Sequence, residues 1–395
     1  MRRSLMICLL ILLATGGMLA LMGAEETSPP GPPVKLGILE KLSGSGSQVG
    51  TMWRDGALLA IDELNAQGGL LGRPIVPVIR NLPWGMAEAA AVTRELLAED
   101  PFAILGPVYT SLTLATAPII QAAEIPQLTG SVSALITAKG FPHLIRASLT
   151  DVVAVQKGLH YALEELKMDR LALIYVQDAY GQGARDLIVR YLKGRGVSLL
   201  AEVPTQPQQL DYAQALEQVK KANAKALILV LFELEAALAV QELKKLGLEM
   251  EIIGGEPLCS PTTIGLGGKA MEGVRCHVSL TPDAPLAAIQ DMVRRFQSRY
   301  GVKPDHNALK AYMAVYMLKA GLEKVKTLDR AKLLSCLKGL TLLVREEPGL
   351  LMDVAIKPNG DIERDSFFVE VKDGKEEVFR IVPPLTGPLP PKTCS

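Results

Sequence analysis

From Val34 onward, short runs rich in β-branched and aliphatic residues alternate with longer stretches whose apolar positions recur at helical spacing. The short runs are Val34 to Leu39, Ile75 to Arg80, Phe102 to Leu105, Leu171 to Val176, Ala226 to Leu231 and Glu251 to Ile253, and each reads as a strand. The longer stretches, Thr51 to Ala66, Met86 to Ala98, Ser111 to Ala123, Gly181 to Lys193, Tyr212 to Ala222 and Leu234 to Leu246, read as amphipathic helices. Strand then helix, repeated, predicts parallel sheets covered on both faces. There are more such units than one sheet holds comfortably, so the pattern predicts an α/β protein of two doubly wound lobes.

The alternation also marks where the lobes divide. A first series of units ends at Ile145 to Leu149, and Asp151 opens the next helix, Val152 to Glu165, as an acidic N-cap. Further on, Pro282 and Pro285 precede two helices, Leu286 to Tyr300 and Asn307 to Lys326, with no strand between them. That break predicts a return to the first lobe. Met352 to Ile356, Ser366 to Lys372 and Glu377 to Val382 read as a hairpin meander, turning at Lys357-Pro358-Asn359-Gly360-Asp361, where Asn-Gly readily takes positive φ. The expected division is residues 34–149 with 281–345 in one lobe, 150–280 with 346–385 in the other, and 386–395 as a tail.

Before the first strand, Arg2 and Arg3 precede an apolar run from Leu5 to Leu13 that continues through Met18 to Met22. This is the layout of a secretory signal, residues 1–24, with cleavage expected near Ala24. Met22 suits that site poorly, so an uncleaved anchor is the alternative. Residues 25–33 form a Pro-rich spacer. No later segment reaches the roughly 18 to 20 apolar residues of a membrane span. The chain carries 42 Lys+Arg against 42 Asp+Glu, with no block of like charges. Such balance excludes a broad electrostatic footprint for nucleic acid or an anionic membrane. Export would permit one or two disulfides among Cys259, Cys276, Cys336 and Cys394; Cys259 with Cys276 is the first pair to consider, and free buried thiols are the alternative. No Cys-x-x-Cys exists, and His143, His160, His277 and His306 are scattered, so no metal site is expected.

Enzyme signatures fail in turn. Gly44-Ser45-Gly46 and Gly181-Gln182-Gly183 lack the third glycine of a dinucleotide fingerprint, and Gly267-Gly268-Lys269-Ala270 lacks the hydroxyl residue of a phosphate loop. No Gly-x-Ser-x-Gly elbow occurs. The paired acids Glu346-Glu347 read as solvated loop charges. Together with export and two lobes, this favours binding over catalysis, with no cofactor.

Several segments are more specific. Leu42-Ser43-Gly44, Gly50 and the run from Asp55 to Ile75, centred on Asp62-Glu63-Leu64-Asn65-Ala66-Gln67-Gly68-Gly69, resemble the opening of the leucine/isoleucine/valine-binding protein family, the type I periplasmic solute receptors of ABC importers. Ile104-Leu105-Gly106-Pro107, Ile125-Pro126, Asp178-Ala179-Tyr180-Gly181-Gln182-Gly183, Gly247-Leu248 and Pro358-Asn359-Gly360-Asp361-Ile362 extend the resemblance across nearly all of Val34 to Val382. It implies two lobes joined by three crossovers, near Leu149, Leu280 and Arg345, with a ligand clamped between them. It further implies a monomer that captures a small molecule by hinge closure and delivers it to a membrane permease. Aliphatic, branched-chain amino acids rank first as ligands. A sensor of the same fold, answering amides or aromatic acids and signalling to a partner, is the alternative.

The resemblance also carries site residues. Thr110, with Ser111, matches the turn that receives a ligand carboxylate, and Ser131 and Ser133 match its second half. Neutral donors from two turns can satisfy a carboxylate without an arginine; helix capping alone is the bland alternative. Glu256 falls where amino-acid-binding relatives carry the acidic partner of the ligand ammonium. Tyr180 and Phe232 match cleft aromatics of the second lobe, Phe232 departing from the more usual tyrosine. Asp151 matches an acidic position at the first crossover. Tyr109 is bulkier than the residue often found beside Thr110 and, with Trp84, would narrow the pocket, whereas Val49 would leave space.

Overall fold

The computed structural model describes residues 31–387 and 392–394, so the expected signal at 1–24 and most of the spacer lie outside the described residues. Two open α/β sheets account for the architecture. The first is wholly parallel, in the order β2-β1-β3-β4-β5, built from β1 (Val34–Glu40), β2 (Ile75–Asn81), β3 (Ala103–Leu105), β4 (Gln127–Thr129) and β5 (Leu144–Arg146). Between them run α1 (Ser47–Ala66), α2 (Met86–Leu97), α3 (Thr110–Ala122) and the short α4 (Ala134–Ala138). Strand β1 is buried almost throughout, as a strand covered on both faces must be. Pro77 sits in β2, an edge strand, where its missing N–H breaks no ladder.

The chain then enters α5 (Asp151–His160) and a second sheet. Its parallel strands are β6 (Leu171–Val176), β7 (Ala201–Thr205), β8 (Ala226–Val230), β9 (Glu251–Gly254) and β10 (Arg275–Val278). These alternate with α6 (Ala179–Lys193), α7 (Ala213–Lys221), α8 (Glu233–Lys245), α9 (Glu256–Cys259) and α10 (Pro261–Gly267). Next, α11 (Ala287–Tyr300), α12 (His306–Val325) and α13 (Arg330–Leu337) return to the first lobe. Helix α12 lies so close to α1 that a Cβ on Gly56 would meet the Ala308 carbonyl oxygen at 2.1 Å, so only glycine fits.

A three-stranded sheet follows, β11 (Thr341–Leu342), β12 (Val354–Ile356) and β13 (Ile362–Glu363). It lies against the edge of the first sheet, where the Arg146 amide donates to the Gly360 carbonyl at 2.8 Å. Gly360 has φ +89°, as the Asn-Gly turn requires. Finally β14 (Ser366–Lys372) and β15 (Lys375–Val382) complete the second sheet, ordered β15-β14-β10-β9-β8-β6-β7, with β14 antiparallel to β10. The fold is thus two doubly wound lobes joined by three crossovers.

Three details differ from the sequence reading. Thr150, not Asp151, is the N-cap of α5; Asp151 is the first helical residue, and its Oδ1 accepts from the Ala134 amide at 2.9 Å, at the start of α4. That helix ends at His160 and passes into a π-helical turn, Tyr161–Glu165. The expected meander divides, one part pairing with β11 and the other extending the second sheet. Both cysteine pairs are bridged, Cys259 to Cys276 and Cys336 to Cys394.

Candidate functional site

Open parallel sheets bind ligands beyond the carboxyl ends of their strands, where the chain order reverses. In the first sheet that point lies between β1 and β3, and in the second between β6 and β8. The loops leaving β3, β6, β8 and β9 face one another across the interlobe cleft and supply Tyr109 and Thr110, Tyr180, Phe232 and Glu233, and Glu256, all around one cavity of about 130 Å³. Its lining joins aliphatic side chains to a set of polar and charged ones.

On the first-lobe side, Thr110 starts α3, whose first N–H groups and positive dipole end are available to an anion. Its hydroxyl lies 3.1 Å from that of Ser131. Ser133 caps α4, accepting from the Leu135 amide at 3.4 Å. Ser131 and Ser133 are wholly buried and lie just behind the lining residues Gly130 and Val132. Their carbonyls are gripped by Arg146, whose Nη1 and Nη2 donate to them at 2.6 Å each while Nε donates to Asp361 at 2.6 Å. The guanidinium is fully buried, which burial alone would disfavour, and Asp361 answers its charge.

Aromatic rings close the mouth. Trp84 packs edge-on against Tyr109 at 4.7 Å between centroids, Tyr109 edge-on against Phe232 at 5.1 Å, and Phe232 lies tilted against Tyr180 at 5.3 Å. The chain of rings therefore runs from the first lobe into the second.

The acidic residues behave differently from one another. Glu256 is buried, but its charge is met within the protein: Lys310 of α12 donates to Oε2, and the Ser279 amide and hydroxyl donate to Oε1, the amide at 2.8 Å. Burial pushes this carboxyl up, yet Lys310, His306 and Ser279 together carry it far below the usual range. Asp151 and Glu233 also line the cavity and are buried, and among the described residues neither has an ion-pair partner. Burial pushes Asp151 up to about 6, against its bond from Ala134 and the field of Arg146. Burial, with Asp305 and Glu235 nearby, pushes Glu233 up to about 8. Oδ2 of Asp151 has no hydrogen-bond partner among the described residues.

Of the residues named from sequence, Val49, Tyr109, Thr110, Asp151, Tyr180, Phe232 and Glu256 line the cavity, Ser131 and Ser133 support it, and Trp84 and Ser111 line an adjoining pocket that shares Tyr109 and Phe232. Glu233, Ser279, His277, His306, Asn307 and Lys310 also line it and were not anticipated. Glu233 had a signal, since it directly follows Phe232 at a strand's carboxyl end. Lys310 had none: it lies on a helix 54 residues beyond Glu256. Among the described residues there is no cluster suited to a metal ion, and no helix long and apolar enough to cross a membrane.

The profile of a family described as periplasmic binding protein matches residues 33–376. The Leu/Ile/Val-binding protein BraC3 of Rhizobium johnstonii is 22% identical over 340 residues, 85% of this chain and 90% of its own length. Among solved structures, a leucine-binding protein of Thermotoga maritima superposes with a TM-score of 0.78 at 22% identity, covering 89% of this chain and 99% of its own. A solute-binding protein of an ABC transporter from R. palustris, in complex with benzoate, superposes with a TM-score of 0.81 at 18% identity, covering 90% and 98%.

Proposed function

The chain belongs to the periplasmic binding protein family, and from that premise we propose that it is an exported receptor for a small zwitterion, an amino acid, which it hands to the membrane permease of an ABC importer. The family comprises solute receptors rather than enzymes, and no bond is made or broken in this role. The observation that carries the ligand class is the pair of buried carboxyls, Asp151 and Glu233, in a cavity whose other wall is the amino end of α3. A carboxylate suits the α3 end, with Thr110 as donor and Ser131 behind it bonded to the Thr110 hydroxyl. An ammonium suits the acids, which desolvation leaves without a countercharge. In this proposal the ammonium role passes from Glu256, already paired with Lys310, to Asp151 and Glu233. Closure follows because such a ligand touches both lobes only when they meet.

Mass spectrometry of the solute released on denaturing protein from its native source tests this. Release of an amino acid supports the proposal; a sugar, or a dianion without an amine, would overturn it. The aromatic chain Tyr109-Phe232-Tyr180 favours a second reading, an aromatic acid stacked at the mouth.

A further inference from the structure

The cavity does not stop at the interlobe cleft. It continues into the second lobe, between α5 and α6 on one side and the face of β8 and β9 on the other, bounded by Gly158, Leu159, Ile188, Ile228 and Ile253, with His277 at its side. We infer that this inner chamber receives the apolar arm of the ligand, a single ring or a branched alkyl group; the inference rests on the receptor reading above.

Two independent observations support an open chamber rather than a filled core. Along β8 the side chains alternate between faces. Leu227, on the far face and outside the cavity lining, is 0% exposed, whereas Ile228 and Val230, which face α5 and α6, keep 5% and 7% although helices cover them. Surface retained beneath a helix adjoins interior space. On the opposite wall, Gly158 is a buried glycine inside α5, and a Cβ built there would meet nothing within 4 Å. Glycine in mid-helix disfavours the helix, and neither a close approach nor a positive φ requires it here. What it leaves is room.

Size narrows the occupant. Cleft and chamber together enclose about 130 Å³, less than the roughly 150 Å³ apolar cavity known to accept benzene, so the volume sets an upper limit of a short branched arm or one ring and excludes two fused rings. The lining offers such an arm aliphatic contact. His277 adds one polar group: its Nε2 lies 2.9 Å from Ser366 Oγ, and its Nδ1 has no partner among the described residues. The ring is held neutral by burial and by Lys157, so it presents no charge that would repel an apolar arm.

The test is to fill the chamber from its wall. Gly158→Leu, and separately Ala184→Leu from α6, are compared with the unmodified protein by calorimetry against alanine, leucine, phenylalanine and benzoate. With Gly158→Leu, leucine, phenylalanine and benzoate should each bind at least about tenfold more weakly, while any alanine binding stays within about threefold. Circular dichroism and melting temperature establish that each variant is folded; if Gly158→Leu does not fold, Ala184→Leu decides. A folded variant that binds all four probes as the unmodified protein does would show the chamber to be a packing void, with the receptor reading intact. Failure of the unmodified protein to bind any of the four would overturn the ligand class, and the inference with it.

Discussion

The carboxylate of Glu256, on the second lobe, is seated against the ammonium of Lys310, on the first, with the two residues 8% and 1% exposed. The pair therefore belongs to the closed cleft. Removing one member of a buried pair typically costs about 3 to 5 kcal/mol, and here the cost falls on closure, because opening rehydrates the survivor. Lys310→Met should weaken ligand binding roughly 100-fold and raise the radius of gyration measured by small-angle scattering. Glu256→Gln should do the same. Combining both removes the orphaned charge and should recover most of the affinity; a double variant as weak as the worse single one would mean that Glu256 acts on the ligand directly.

Glu233 gives the unliganded protein a pH dependence. Its carboxyl rises from 4.5 to about 8, through burial first and then Asp305 and Glu235, with Lys310 opposing. The folded protein thus keeps a proton that the unfolded chain loses, and the stability from the neutral form fades as pH climbs from 4.5 to about 8. Glu376, also pushed up to about 8 by burial and Asp283, has the same sign. His277, moved down to about 3, acts below pH 6.5, and Lys157, moved down to about 8, acts above it. Between pH 6.5 and 8 the melting temperature should fall, by at most about 2 kcal/mol of stability for each carboxyl. Glu233→Gln should make that fall shallower; an unchanged slope would remove Glu233 from the account.

The two disulfides should separate in their effects. Cys259–Cys276 closes a 17-residue separation between α9, which begins with Glu256, and β10. Replacing both by alanine should cost about 3 kcal/mol in urea unfolding and also weaken ligand binding. Cys336–Cys394, with a separation of 58 residues, ties the tail to α13, away from the cavity. Its removal should lower stability and leave affinity alone, which calorimetry on the two variants would distinguish.

Arg146 does not itself line the cavity, yet it fixes the carbonyls of Ser131 and Ser133. Arg146→Lys keeps the charge but loses the fork that reaches three acceptors. We expect at least about a tenfold loss of affinity with little change in ligand preference. Asp361→Asn should give a smaller loss of the same kind; wild-type affinity in both would release Arg146 from this positioning role.

Much of the fold was legible because buried parallel strands carry a dense apolar signal, and β1, β6 and β8 were visible as such runs. Strand β7 was not, since Ala201-Glu202-Val203-Pro204-Thr205 is an edge strand whose polar positions face solvent. Nor was β10, where Arg275 and His277 interrupt the run because each has partners inside the sheet region: Arg275 with Glu251 and Glu370, His277 with Ser366. The cleft positions followed from resemblance. The partners that decide the charges did not, because Lys310 reaches Glu256 only through the packing of α12, and no local pattern encodes that distance.

The strand order of the second sheet bears on how the molecule is made. Its outer strands, β14 and β15, come from residues 366–382, after the chain has returned to lay α11, α12 and α13 on the first lobe. Neither lobe can finish its core while the later part of the chain is still being synthesised. A growing polypeptide therefore stays incomplete until near its end, and both lobes gain their last elements from the same late stretch of chain.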